Sequence, residues 1–297
     1  SMYVLGLVVM YSALGVIAAI GGKMFGAWLQ LPAVLAGFAL LMLVLAWLVA
    51  TSIFPVTERV AAGVSYGEML AELVKRPLFW VFWICMYLTA AAELAPGSWV
   101  EVSLSNVVGM QGILLLVYVS ALMFVMRHFA GPIVARISSV GLMFVSCLAA
   151  GLGLYLLSLA DSPVLAFAAA TVWGIGVCYM WPTMLAMVSE RFPRGGAMAM
   201  GLMGFAGGMS IQFVLPQMGA IFDSAKARAA GGAEKLATLS PQAMEDAVRY
   251  ASVESFQSVA IVPLLLLPVF GLIWWADRRK GGHRPEAIGA PGATIQR

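Results

Sequence analysis

Seven stretches of this chain carry no Asp, Glu, Lys or Arg over about the length of a bilayer crossing. They cover 3–22, 24–57, 102–126, 137–160, 162–189, 195–222 and 255–276, and an eighth, 77–100, is interrupted only by Glu93. A spanning helix needs about 20 apolar residues at about 1.5 Å rise each. Lipid offers backbone groups no hydrogen bonds, so segments this long and this apolar must be helical. The pattern predicts spans at 3–22, 31–54, 78–99, 111–134, 138–159, 163–188, 197–222 and 255–276. The expected fold class is all-α, a polytopic membrane bundle of eight transmembrane helices.

The polar segments between the spans divide the chain further. Residues 55–77 hold Glu58, Arg59, Glu68, Glu72, Lys75 and Arg76. Ser65 with Glu68 three positions on predicts a capping box at the start of a short interfacial helix. Pro77 then opens a span, where a missing N–H costs little. Loop 223–254 contains Ser240-Pro241, an N-cap followed by Pro at the first helical position, which predicts a short surface helix there. Residues 281–297 are rich in Gly, Pro and Ala and are expected to be a disordered tail. The expected organisation is two helices (1–54), a linker (55–77), a six-helix bundle (78–280) and the tail (281–297).

Placement of Lys and Arg sets the expected orientation. Twelve basic residues fall on the side of 55–77 and the tail, and five fall on the other, four of them in loop 223–254. The more basic side faces the cytoplasm. A multi-pass protein of the cell (inner) membrane with a cytoplasmic C-terminus is expected. The first span begins within two residues of Ser1, with no basic run before it and no small-residue cleavage site after it. That is not a signal peptide, and the chain reads as the later part of a longer polytopic protein.

Composition agrees. The chain is 62% hydrophobic and 10% charged, with mean hydropathy +0.95, more apolar surface than a soluble domain can hide. A net charge of +3 gives no reason to expect nucleic acid. Cys85, Cys147 and Cys178 all lie inside spans without paired spacing, which reads as apolar packing.

Glu93 is the leading candidate for chemistry. At about 1.5 Å per residue it lies roughly 22 Å along its helix, past the midplane. A charged carboxylate there is costly, so the group is either paired, hydrated or neutral, and it is a candidate for taking up and releasing a proton. The bland alternative is a structural carboxylate bonded to a neighbouring helix. Pro96 and Gly97 follow. Pro96 removes a backbone bond to Ala92, so the helix is expected to kink or unwind beside the acid. Trp99 is either an interfacial belt residue or the wall of a cavity mouth. Glu101, Asn106 and Gln111 read as outer polar positions.

Arg127 and His128 break the fourth span near its cytoplasmic end. Arg127 is expected to snorkel to headgroups or to hold a gate with Glu190 or a loop carbonyl. An ion pair with Glu93 is not expected, because the axial separation is roughly 12 Å. Trp173 and Trp181 are eight residues apart on one helical face, with Tyr179 nearby and Pro182 following. They either line a pocket or pack. The glycines at 201, 204, 207 and 208 are expected to let helices approach closely. Gln212 and Gln217 are costly in lipid and are expected to face protein or a water-filled cavity.

The chain has no Gly-rich phosphate loop, zinc-protease motif, Cys-x-x-Cys or nucleophile elbow. No enzyme, cofactor or metal is expected. No filter-like loop or charged span suggests a channel.

Three segments resemble the major facilitator superfamily. Lys75-Arg76-Pro77-Leu78-Phe79-Trp80, with Ala92-Glu93-Leu94 and Gly97-Ser98-Trp99, resembles the start of its seventh helix. Gly174-Ile175-Gly176 through Trp181-Pro182-Thr183 to Ser189-Glu190-Arg191-Phe192-Pro193 resembles its tenth. The run 201–208, ending in Gly219-Ala220-Ile221-Phe222-Asp223, resembles its eleventh. The loop Ala135-Arg136-Ile137-Ser138 departs from the Gly- and Asp/Arg-containing loop common in the superfamily. The resemblance implies helices five to twelve of an incomplete two-bundle transporter, with four earlier helices as a missing partner. An acid followed six residues later by Trp resembles sugar permeases of the fucose type.

The resemblance implies secondary transport of a small molecule by alternating access. Proton coupling is expected, with a sugar or related metabolite favoured. Glu93, Trp99, Trp173, Tyr179, Trp181, Gln212 and Gln217 are the expected proton or substrate contacts. Pro96, Gly97, Arg127, Glu190 and Arg191 are the expected gating or structural residues. Two alternatives stay open: a drug or metabolite exporter of the same fold, and a non-transporting sensor or assembly protein. A sensor would bury Glu93 against protein with no cavity beside it.

Overall fold

The computed structural model describes residues 32–52, 58–107 and 112–288. The chain divides into two compact units, 1–57 and 58–297. The described residues are helical, with no strand among them. Among the described residues, five helices are long and apolar enough to span a membrane, or six if one bent pair counts as a span. The predicted span 3–22 lies outside the described residues.

In the first unit, α1 (Pro32–Thr51) covers most of the predicted second span. Leu40, Leu43 and Trp47 are all exposed, so the helix is apolar on several sides and needs an apolar surrounding.

The second unit opens with α2 (Glu58–Ala61) and α3 (Tyr66–Lys75). The expected capping box is present. The Ser65 hydroxyl accepts from the Glu68 N–H, and the Glu68 carboxylate accepts from the Ser65 N–H at 2.8 Å. These bonds hold the Glu68 carboxyl below its ordinary pKa. α4 (Pro77–Val107) follows from Pro77. It stays helical through Pro96, so the unwinding expected beside Glu93 does not occur.

α5 (Gly112–Arg127) and α6 (Ala130–Ile137) are two arms of one predicted span, bent by 63°. Pro132 has no N–H to offer the His128 carbonyl, which suits a break there. Ser138 turns the chain at φ 68° and caps α7 (Ser139–Ser158), its hydroxyl accepting from the Gly141 N–H at 3.2 Å. α8 (Pro163–Arg191) returns against α7.

Among the described glycines, the tightest approaches to a neighbouring backbone join α7 to α8. A Cβ on Gly153 would lie 2.2 Å from the Trp173 nitrogen, and one on Gly176 would lie 2.3 Å from the Ala150 nitrogen. Only glycine fits at either position. Among the described residues, the Gly-rich run makes one close approach rather than a seam. Gly201, Gly204 and Gly208 have nothing within 4 Å among the described residues, and only Gly207 makes room, for the Trp181 ring.

α9 (Gly196–Ala229) and α10 (Pro241–Arg279) are longer than their predicted spans. Ser240 caps α10 as expected, accepting from the Ala243 N–H at 3.3 Å. The short surface helix is the first part of α10 itself, and most of loop 223–254 is helical. An Arg228–Glu254 ion pair ties the two extensions together.

α4 and α7 begin at one end of this unit, where α8 and α10 finish; this end is termed the tail side. Gly281 and Gly282 take positive φ there and stop α10. Residues 281–288 are not disordered as their composition suggested. The Glu286 N–H donates to the Glu190 carbonyl at 2.9 Å, and its carboxylate takes two bonds from Arg76 at 2.7 and 2.8 Å. Arg76 also donates to Glu72 at 2.7 Å and to the Arg191 carbonyl at 2.9 Å. These partners hold its proton more tightly than usual. One bidentate pair and a backbone bond are enough to order a short segment beyond two glycines. Residues 289–297 lie outside the described residues.

Candidate functional site

Glu93 projects from α4 with its side chain 15% exposed. Its Oε2 is sealed from solvent and has no hydrogen-bond partner among the described residues. Its Oε1 lies 4.0 Å from the Arg127 guanidinium. That is an ion pair at the limit of contact, too long for a hydrogen bond. It corrects the expectation from axial counting. α4 and α5 run antiparallel, and side chains lean toward the N-terminus of their own helix. Glu93 and Arg127 therefore lean toward each other, and the long arginine side chain covers the remainder.

Arg127 is held from behind by α8. Its Nε donates to the Cys178 carbonyl at 3.1 Å. Cys178 and Tyr179 also secure the frayed end of α5. The Tyr179 hydroxyl donates to the Met126 carbonyl at 2.8 Å, and the Cys178 thiol lies 3.4 Å from the Met123 carbonyl. The His128 ring reaches the Phe124 carbonyl at 2.9 Å. A helix end leaves four carbonyls without intrahelical partners, and side chains supply two of them here, Phe124 and Met126. Glu190, the expected partner of Arg127, instead receives the Ser139 hydroxyl at 3.4 Å.

Trp173 answers the other disrupted backbone. Pro96 has no N–H for the Ala92 carbonyl, and the Trp173 indole N–H points at that oxygen from 3.4 Å. Trp173 is buried and joins α8 to α4 one residue from Glu93. It and Tyr179 are packed against backbone, so neither is an open aromatic wall. Trp181 packs half-buried over Gly207. Gln212 and Gln217 are exposed on α9. Pro96 is buried, while the side chain of Trp99 and the surroundings of Gly97 lie outside the described residues.

On the tail side, Arg191 is buried and pairs with Asp277 at 2.5 Å. Asp277 and Glu286 were missed in the sequence. Each is an acid in a strongly basic segment, next to Arg278, Arg279, Lys280 and Arg284, and that isolation was the available signal. The Cys178 carbonyl had none, because any residue supplies it.

The arrangement is a buried acid and a guanidinium between two mended helix breaks, inside a bundle of membrane-length helices. A family model for the Major Facilitator Superfamily matches residues 1–215. The chain belongs to the Major Facilitator Superfamily. It is a multi-pass membrane transporter of the major facilitator kind, and this points away from an enzyme. No curated protein and no solved structure matches the chain at a significant level.

Proposed function

We propose that this major facilitator is a secondary active transporter that moves a small molecule by alternating access, coupled to a proton at Glu93. The observation that carries the reading is the incomplete coordination of Glu93, with Oε2 unpartnered among the described residues and Oε1 at 4.0 Å from Arg127. A carboxylate left this way can take either a proton or a substrate hydroxyl. When Glu93 is protonated, Arg127 loses its counter-charge and is freed for substrate or for a gate.

A sugar or related polyhydroxy metabolite is the favoured substrate. A carboxylate accepts hydroxyl protons and a guanidinium donates to hydroxyl oxygens, so the pair presents both halves of polyol recognition. Arg127 supports this by keeping its side chain 47% exposed while its Nε is anchored. In the same reading, 55–77 is a linker on the cytoplasmic face of the inner membrane.

The test is proton release on substrate addition, with purified protein and a panel of sugars and small metabolites, wild type beside Glu93→Gln. Release with one compound, absent in the variant, supports the reading. Binding without proton movement in the wild type sinks proton coupling and returns Glu93 to a structural role.

A further inference from the structure

At the tail side, where α7 begins and α8 and α10 end, lies a cavity of about 380 Å³. This is many times the volume of one water, about 30 Å³. Arg136, Ser139, Glu190, Arg191, Asp277 and His283 are among its walls. Both acids are engaged, Asp277 by Arg191 and Glu190 by the Ser139 hydroxyl.

Two nitrogens in this wall are sealed from solvent without a hydrogen-bond partner among the described residues, Arg191 Nε and His283 Nε2. The Arg191 side chain is only 8% exposed. Its Nε carries a hydrogen and can only donate. A buried donor left unmet is costly, and an acceptor entering from the cavity side would meet it. Arg136 and Arg278 also line the cavity, and among the described residues neither has a carboxylate partner. Arg278 instead lies over the Trp274 ring at 4.3 Å. The first turn of α7 adds the positive end of a 20-residue helix.

We propose that this cavity binds a phosphate-type oxyanion, the headgroup of an anionic lipid. Arg191 Nε is a donor, and Arg136 and Arg278 are cations, which argues for an anion over a cation as ligand. They approach from α6, α8, α10 and the tail, so the ligand needs several acceptor oxygens in different directions, as phosphate has. The cavity lies where the apolar stretches of three helices stop. Arg278 over Trp274 and Arg279 over Trp275 mark that level as the headgroup zone. His283 fits the same ligand. Burial lowers its pKa, Arg191 lowers it further, and Asp277 and Glu286 oppose this. A bound anion would favour the protonated ring.

The chain has two histidines, His128 and His283, so histidine-labelled protein gives one reporter and one control. The experiment records their magnetic resonance signals with the full chain in phosphatidylcholine nanodiscs. One arm dopes the bilayer with phosphatidylglycerol. The other adds inorganic phosphate at constant ionic strength. Phosphatidylglycerol is expected to move the His283 signal and raise its titration midpoint, leaving His128 unchanged. Arg136→Gln with Arg278→Gln breaks no ion pair seen among the described residues, so it is expected to fold, and an unchanged His128 signal reports that. It should weaken the lipid response by about tenfold per guanidinium removed. No response of His283 in either arm overturns the proposal. So does a response that the double variant leaves intact. A response to inorganic phosphate without one to phosphatidylglycerol overturns the headgroup assignment.

Discussion

Arg127 reaches Glu93 across two antiparallel helices, 4.0 Å apart, while its Nε stays fixed to the Cys178 carbonyl. The anchored end sets the position of the guanidinium, and the free end meets the acid. Arg127→Met is expected to leave Glu93 without a counter-charge and to lower stability by about 1–2 kcal/mol, less than a fully buried pair because Arg127 is partly exposed. Removing both charges, with Glu93→Gln added, should recover most of that loss. Thermal unfolding in detergent of the single and double variants checks it. A double variant as unstable as Arg127→Met would mean that Arg127 acts through packing alone.

The Trp173 indole and Pro96 share one carbonyl. Trp173→Phe removes the donor to the Ala92 oxygen and should cost about 1 kcal/mol. In a Pro96→Ala background the restored N–H at position 96 can serve that oxygen, so the same change should cost clearly less. Equal costs in both backgrounds would show that the indole bond contributes nothing to stability.

Gly153 and Gly176 face backbone atoms at 2.2 and 2.3 Å from an added Cβ, and helix backbones cannot yield as a side chain can. Alanine at either is expected to destabilise by about 3 kcal/mol or more, at the upper end for overpacking. Gly208→Ala, with nothing within 4 Å among the described residues, should be tolerated. Size-exclusion profiles after heating separate the outcomes.

Acid should loosen the tail. Burial lowers the folded pKa of His283 below its ordinary value of 6.5. A group depressed in this way binds fewer protons folded than unfolded. Its contribution is present above about 6.5 and lost as pH falls through the lower folded value. Trypsin cleavage after Lys280, corrected for the protease's own pH profile, should therefore rise as pH drops below 6.5, and less so in His283→Gln. Cleavage that does not change across this range would remove His283 from the account.

The six spans of the second unit were legible because hydrophobic runs of bilayer length admit one backbone solution. Ser65 with Glu68, and Ser240 with Pro241, were legible because caps are local. What escaped was non-local. Residue counting along each axis separated Glu93 from Arg127, because it ignored side-chain direction. The 201–208 run looked like a packing seam, yet Gly153 and Gly176 carry the close contact, since small-residue spacing does not say which helix lies opposite. The tail was misread because glycine and proline describe a free chain, while Glu286 finds Arg76 some 210 positions away.

With their backbones touching at Gly153 and Gly176, α7 and α8 cannot shear past one another without a clash. They form a built-in ruler for this transporter. A pair of spin labels placed across them should read one distance in every stage of the transport cycle. Any change seen between this pair and a third label elsewhere in the protein can then be assigned to the third position.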